Sequence, residues 1–400
     1  MFSLVNRNKI ARHDFVVIDS QFPQKEPLGF RNTEINEYFK KINNFVSYSM
    51  FPMKPGGEAW FRHGYGCSFE KFQENKKGYV SIYKKNFNEI LYLEDDKKYR
   101  IKLAYTFFLA ETYVLLPFLN KNKIPFVFVL YPGGAFGINN KSSDEMLRKI
   151  FSSKYFRNVI VTQDITWHYL IDNNLCQKSK ISYIYGGFVQ FKKGELIQKK
   201  YYLKDKKTFD VCFVAAKYSK NGVDKGYDLF IKVVHRLSRS ADNIVFHVIG
   251  GFDENDIDIS RIKKRIKFYG YRTPDFLVDF YSKMDIFFSF NKPSVIYDGS
   301  FDGFPLGIDA AFCGVGLFVG DEKKMNREYI DGEDIVIVED DEKKIEEKIL
   351  FYYNHPDELY KLSFKGSRKT QRLFDTNFQI DKRIEVFKKF VKLRLIENKG

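Results

Sequence analysis

Apolar runs of four to six residues alternate with longer stretches of helical period along the whole chain. DFVVIDS (14–20) predicts a strand, NTEINEYFKKI (32–42) a helix and NFVSYSM (44–50) another strand. IKLAYTFFLAETYVLLPFL (101–119) predicts one long, mostly apolar helix, with the strand PFVFVLY and the loop PGGAFGINN after it. SSDEMLRKIF (142–151) predicts a helix capped by Ser142 or Ser143 ahead of Asp144 and Glu145, NVIVTQ a strand and DITWHYLIDNN a helix. ISYIYGGFV closes this series, and the Lys-rich stretch FKKGELIQKKYYLKDKKT separates it from a second one.

The second series reads FDVCFVAA (strand), GYDLFIKVVHRL (helix), NIVFHVIGG and IKFYGY (strands), PDFLVDFYSK (helix) and MDIFFSF (strand). PLGIDAAFC (helix), GVGLFVG and DIVIV (strands) and EKKIEEKILFYYN (helix) complete it. Strands alternating with helices predict parallel sheets covered by helices, and 400 residues exceed one ordinary core. The expected fold class is therefore α/β, with two Rossmann-like domains facing across a cleft. Residues 1–195 form the first, with a boundary near 192–208, and residues 205–376 the second; 377–400 form a basic tail. Ligands of such sheets lie beyond the carboxyl ends of the strands, which directs attention to the loops that follow them.

Hydrophobic content of 44% and charged content of 29% fit a folded globular chain. The four cysteines show no metal-ligand spacing and read as reduced thiols, and the six histidines show none either. The start of the chain lacks a signal-peptide pattern, and Pro and Gly interrupt its longest apolar stretch, so cytoplasmic residence is expected. The net charge of +15 is unevenly spread: residues 1–200 carry 31 Lys and Arg against 18 Asp and Glu, residues 201–400 carry 35 against 33. A basic first half and a basic tail attract phosphate, on a glycan or on anionic lipid, and an amphipathic helix over 377–396 would face an anionic membrane peripherally. No nucleic-acid-binding motif accompanies the charge.

Two loops carry candidate chemistry. In AAKYSKNGVDKGYDLF, Lys217, Lys220 and Lys225 cluster where a strand ends, Gly222 and Gly226 permit tight turns, and a helix N-terminus follows; this suits a diphosphate. In FDGFPLGIDAAFCG, Gly303 lets the chain bend, Pro305 opens a helix, and the N–H groups from Gly303 to Gly307 can face an anion. Asp302 stands before that helix, as an N-cap or as an acceptor from sugar hydroxyls. Asp309 is expected two turns into the helix, where a carboxylate is costly unless paired or bound, as by a ribose diol. Asp256-Ile257-Asp258 lies in the acidic stretch DENDID and reads as a solvated loop rather than a metal site.

Over roughly residues 209–375 the sequence resembles the donor domain of retaining, nucleotide-sugar-dependent glycosyltransferases of the GT-B fold, the glycogen-synthase-like glycosyltransferase family 4. The residues that carry the resemblance are Lys217, Lys225-Gly226, VIGGF, FYGYR, DFLVDFYSKMDIFFSF and FDGFPLGIDAAFCG. The family has glutamates where this chain has Asp302 and Asp309, one residue further apart, and often Arg where it has Lys217. The resemblance implies that Lys217 and Lys225 bind the donor diphosphate and that Asp302 acts with them in catalysis. It implies that Gly303, Phe304, Pro305 and Leu306 meet the transferred sugar, that Asp309 holds the ribose, that the FYGYR segment borders the base through Arg272, and that Gly226, in the Lys-Gly pair opening the helix, binds the donor.

Across the first domain the resemblance is looser and points to Asn32, Tyr131, Gly133 and Gly134 on the acceptor side. It also implies a last helix that crosses back to the first domain. The implied activity is metal-independent, retaining transfer from a nucleotide-sugar co-substrate to a glycan or lipid-linked acceptor, in polysaccharide or lipopolysaccharide-type synthesis, with no cofactor. A nucleotide-sugar epimerase of the same fold, or a non-catalytic glycan- or nucleic-acid-binding protein, is the alternative.

Overall fold

A computed structural model describes residues 10–25, 30–53, 65–83, 87–189, 191, 196–217, 219–292, 307–321, 324 and 327–396. Asp302, Gly303, Phe304, Pro305 and Leu306 lie outside the described residues. The chain divides into two units, Met1–Phe188 with Thr376–Gly400, and Val189–Asp375.

In the first unit the order is β1 (Ala11–Asp19), α1 (Phe30–Lys41), β2 (Val46–Ser49), α2 (Phe69–Tyr83), β3 (Ile90–Tyr92), β4 (Tyr99–Phe107), α3 (Leu109–Lys121) and β5 (Phe126–Leu130). It continues through α4 (Lys141–Phe151), β6 (Phe156–Val161), α5 (Asp164–Asp172) and β7 (Ile181–Tyr183). The strands form one parallel sheet in the order β3-β2-β1-β4-β5-β6-β7. The order reverses between β1 and β4, which opens a crevice at their carboxyl ends. Both faces of the sheet are covered by apolar clusters, so its central strands read as unbroken apolar runs.

That two-sided burial explains why one stretch was misread in the sequence. Residues 101–119 are not a single helix: they are the last part of β4 and the start of α3, broken at Phe108, whose φ is 55°. A buried strand and a buried helix look alike in apolar pattern, and no Gly or Pro marks this break. Helix α4 likewise starts one residue earlier than expected, and its cap is Asn140, which accepts from the Ser143 N–H at 3.0 Å.

The second unit contains β8 (Phe209–Ala215), α6 (Tyr227–Ser240), β9 (Ile244–Gly250), β10 (Ile266–Phe268), α7 (Pro274–Ser282), β11 (Ile286–Ser289) and α8 (Ile308–Phe312). After these come β12 (Gly316–Gly320), β13 (Val336–Val338), α9 (Glu342–Asn354) and α10 (Pro356–Leu373). Its parallel sheet runs β10-β9-β8-β11-β12-β13, with the reversal between β8 and β11. At the opposite, amino-terminal side, Lys206 ties Asp210 (2.6 Å) to Asp285, and His247 Nε2 meets Asp210 at 2.8 Å. This buried network fixes the entering segment to β8 and to the residue ahead of β11.

Helix α11 (Thr376–Lys388) belongs to the first unit. It is shorter than the 377–396 helix expected, and its apolar side is not offered to a lipid surface. Ile380, Ile384, Val386 and Phe387 are buried in the first unit's core. With them lies Arg383, fully buried, whose Nε stands 3.1 Å from Glu34 Oε1. Tyr38 and Tyr105 each donate to Glu34 Oε1 at 2.8 Å, Tyr131 donates to Oε2 at 2.9 Å, and Arg383 Nη2 donates to the Tyr131 hydroxyl at 3.0 Å. Among the described residues no helix is long and apolar enough to cross a membrane.

Candidate functional site

In the second unit the loop after β8 is shaped by backbone that only small residues adopt without strain. Asn221 and Gly222 have φ of 58° and 60°, and Gly226 has φ 73°. A Cβ on Gly226 would stand 2.1 Å from the Phe290 carbonyl oxygen, so the start of α6 is pressed onto the chain leaving β11. The loop lies between the second unit's first strand and its helix, as expected, and the strand order reverses at this strand. Within it Lys225 is buried, 7% exposed, and Asp224 beside it accepts from the Ser219 hydroxyl and from the Lys292 N–H through its own carbonyl.

Lys217, at the end of β8, forms an ion pair with Asp256 from the loop between β9 and β10. The Asp256 carboxylate also accepts from the Asp253 N–H at 3.0 Å, whereas Asp258 accepts from Ser260 N–H at 2.9 Å. The two aspartates therefore serve separate local partners. Gly251 lets this corner close: its Cβ would meet the Tyr271 hydroxyl at 3.0 Å and Lys217 Cβ at 3.3 Å. Arg272 follows Tyr271 in the loop after β10 and lies 5.1 Å above the Phe276 ring.

Asp309 sits elsewhere than expected. It is the second residue of the five-residue α8, not two turns inside a helix. The αL residue Gly307, φ 78°, interrupts the chain ahead of it, and a Cβ there would meet the Phe287 ring at 2.6 Å. Asp309 is half-buried in the first turn, where the N-terminal N–H groups and the helix dipole favour a carboxylate, so its charge is accommodated there without a bound ligand.

At the corresponding crevice of the first unit the structure assembles a constellation that the sequence reading did not contain. Arg31 Nη1 donates to Asp19 Oδ2 at 2.6 Å and to Glu111 Oε2 at 2.9 Å, and both carboxylates are fully buried. Glu111 also accepts from Ser20 N–H and Oγ, each at 2.8 Å. The Arg31 guanidinium stacks 4.6 Å over Phe108, and a Cβ on Gly134 would meet the Phe108 ring at 2.6 Å.

Gly133 and Gly134, with φ of 86° and 56°, thus line the same strand ends. Tyr131 packs there against Phe30 and Phe108, but its hydroxyl is committed to Glu34 and Arg383. Asn32 is buried and donates to Gln24 Oε1 at 2.7 Å.

Burial first, and then the neighbouring Asp19 carboxylate, push Glu111 up to about 7 against the pull of Arg31 and Ser20. A carboxyl with a raised folded value binds more protons folded than unfolded, so its contribution to stability is full below about 4.5 and falls as pH rises through about 7. Glu111→Gln is expected to flatten the stability profile across that interval, read as urea midpoints from pH 4.5 to 8. An unchanged slope would show that Glu111 is ionised throughout.

Residues 208–355, within the second unit, match the family model described as glycosyl transferases group 1. No curated protein sequence matches the chain. Among solved structures, HepE of Anabaena in complex with UDP is similar at a TM-score of 0.65 and 12% identity, covering 94% of this chain and 100% of that one. Sucrose-phosphate synthase of Thermosynechococcus elongatus gives 0.61 and 14%, covering 94% and 99%. A glycosyltransferase of Rickettsia africae gives 0.60 and 12%, covering 96% and 99%. At such identities the likeness establishes the fold: two parallel-sheet α/β domains of the GT-B kind, as expected from the sequence.

Proposed function

We propose that the protein is a retaining, metal-independent glycosyltransferase. It takes a sugar from a nucleoside diphosphate donor held by the second unit and passes it to a glycan or lipid-linked acceptor, in the synthesis of a surface polysaccharide or lipopolysaccharide-type glycan. The observation that carries the reading is the loop after β8: among the matched residues, Lys217, Lys225 and Gly226 lie between the end of that strand and the start of α6, where the sheet reverses order. HepE has been crystallised with UDP and with UDP-glucose, which makes uridine the first base to test.

In this mechanism two ammonium groups and the N-terminus of α6 stabilise the charge that grows on the leaving diphosphate. Asp302 and the backbone of Gly303 to Leu306 would meet the sugar, Asp309 the ribose and Arg272 the base. The crevice holding Gly133, Gly134 and Arg31 in the first unit would receive the acceptor.

A thermal-shift screen of nucleoside diphosphates and their sugars tests the proposal. A ligand at about a hundred times its dissociation constant adds about 2.7 kcal/mol, several degrees for units of this size. No shift with any nucleotide would overturn it. The same assay reads the role of Asp256, whose carboxylate neutralises Lys217 before a diphosphate arrives. Asp256→Asn keeps an acceptor for the Asp253 N–H and is expected to bind UDP about threefold tighter, in keeping with a partly exposed ion pair. Weaker binding would mean instead that the pair holds Lys217 in place.

A further inference from the structure

At the pole of the first unit opposite its crevice, the amino-terminal ends of β1 and β4 form the floor of a cavity of ≈ 1380 Å³. Strand length puts it about 25 Å from Asp19. Its walls are the segment before β4, the turn after α3, the loop after α1 and the tail at 392–394. Hydrogen bonds pin that tail: Asn43 N–H donates to the Arg394 carbonyl at 2.8 Å, and Ile396 N–H to the Lys41 carbonyl at 2.9 Å.

Nine lysines and arginines line the cavity against three aspartates. Lys102 pairs with Asp14 at 2.7 Å, Lys121 with Asp95 at 3.3 Å and Lys97 with Glu94 at 3.2 Å. Arg12, Lys98, Arg100, Lys123, Lys392 and Arg394 have no carboxylate within ion-pair distance among the described residues, and all are exposed. Arg12 and Arg100 stand directly opposite each other on neighbouring strands. Like charges so placed oppose folding, and an anion bound between them would relieve that repulsion. His13, at the same pole, is held below its ordinary value by burial and then by Lys97, in keeping with the positive field.

We propose that this cavity is a second binding site, for a ligand carrying several phosphates in a row, such as a polyphosphate or the phosphodiester backbone of a phosphorylated glycan. The concavity suits a chain lying in a trough better than a flat bilayer. Of its rings, Phe15 and Tyr99 are buried at 3% and 4% exposure and the half-buried His13 is held by the Tyr48 hydroxyl at 2.9 Å, so it offers no row of exposed rings on which successive nucleic-acid bases could stack. The site is independent of the glycosyltransfer reading and stands or falls apart from it.

The test uses the full chain and fluorescently labelled inorganic polyphosphate, with binding followed by anisotropy at a series of salt concentrations. Binding is expected to weaken steeply with salt and to persist in saturating UDP. The combined variant Arg12→Ala, Arg100→Ala, Arg394→Ala is expected to reduce the salt slope by about one for each cation removed and to weaken binding at least tenfold. Because two of these arginines repel each other, the variant should melt no lower than the parent.

Vesicles rich in phosphatidylglycerol, and a single-stranded oligonucleotide, are compared at equal phosphate concentration. Leu395 and Ile396, exposed beyond Arg394, make the vesicle comparison the sharper one. Absence of polyphosphate binding, unchanged binding by the variant, displacement by UDP, or preference for vesicles or oligonucleotide would each overturn the proposal.

Discussion

Lys225→Ala is expected to lower kcat for sugar transfer by about 10²- to 10³-fold, the usual cost of removing one group that stabilises a leaving charge. Three features make this residue the more sensitive of the two lysines. It is 7% exposed, so its charge acts in a medium poor in water. It sits on the residue before Gly226, whose αL turn starts α6, so the ammonium and the helix terminus are fixed by the same few peptides. The clash that a Cβ on Gly226 would make with Phe290 shows that this segment cannot drift.

Lys217 is 28% exposed and paired with Asp256, so Lys217→Ala is expected to cost only about tenfold. Lys225→Arg, which keeps the charge, is expected to recover part of the loss. Steady-state rates with a UDP-sugar, beside the dissociation constant for UDP, separate the two effects. Rates for Lys225→Ala within about threefold of the parent would remove the residue from the mechanism.

Arg383→Ala is expected to destabilise the first unit by about 3–5 kcal/mol, because it strands a buried carboxylate. Glu34 and Arg383 are both fully buried, and the guanidinium also donates to the Gln379 side chain at 2.7 Å and lies 4.8 Å over the Phe188 ring. The three tyrosine hydroxyls donate to Glu34 but bring no charge. In calorimetry the loss appears as a lower melting temperature, by about 10 °C for a unit of this size. The double variant Glu34→Gln, Arg383→Met removes both charges and should recover most of the stability. A loss under about 1 kcal/mol for Arg383→Ala would show that water reaches Glu34 and that α11 is held by apolar contacts alone.

The alternation of strands and helices was legible because apolar period survives in a sheet covered on both sides, and so was the position of Lys217 and Lys225 at the end of β8. Residues 101–119 were not, since a buried strand running into a buried helix has one continuous apolar pattern. Asp309 was misplaced because Gly307 in FPLGIDAA gives no sign in sequence that it takes the αL conformation. The partner of Lys217 was hidden for a different reason: Asp256 lies in DENDID, whose composition speaks of solvent, and only the fold brings it to the end of β8.

Distance along the chain concealed the rest. Glu34 and Arg383 are paired across almost the entire sequence, and each taken alone reads as a surface charge. Asp19, Arg31 and Glu111 meet because β1 and β4 are neighbours where the first sheet reverses, a fact of topology rather than of local pattern. An aspartate closing the apolar run DFVVID was the one visible sign of that cluster.

The most direct measurement of the central claim is release of nucleoside diphosphate from a panel of nucleotide sugars by the purified chain, with and without a chelator, for the parent and for Lys225→Ala. The parent is expected to release the diphosphate from one class of donor, the chelator to change nothing, and the variant to release about a hundredth as much or less. Release that requires a metal ion, that survives in the variant, or that occurs with no donor would contradict the claim.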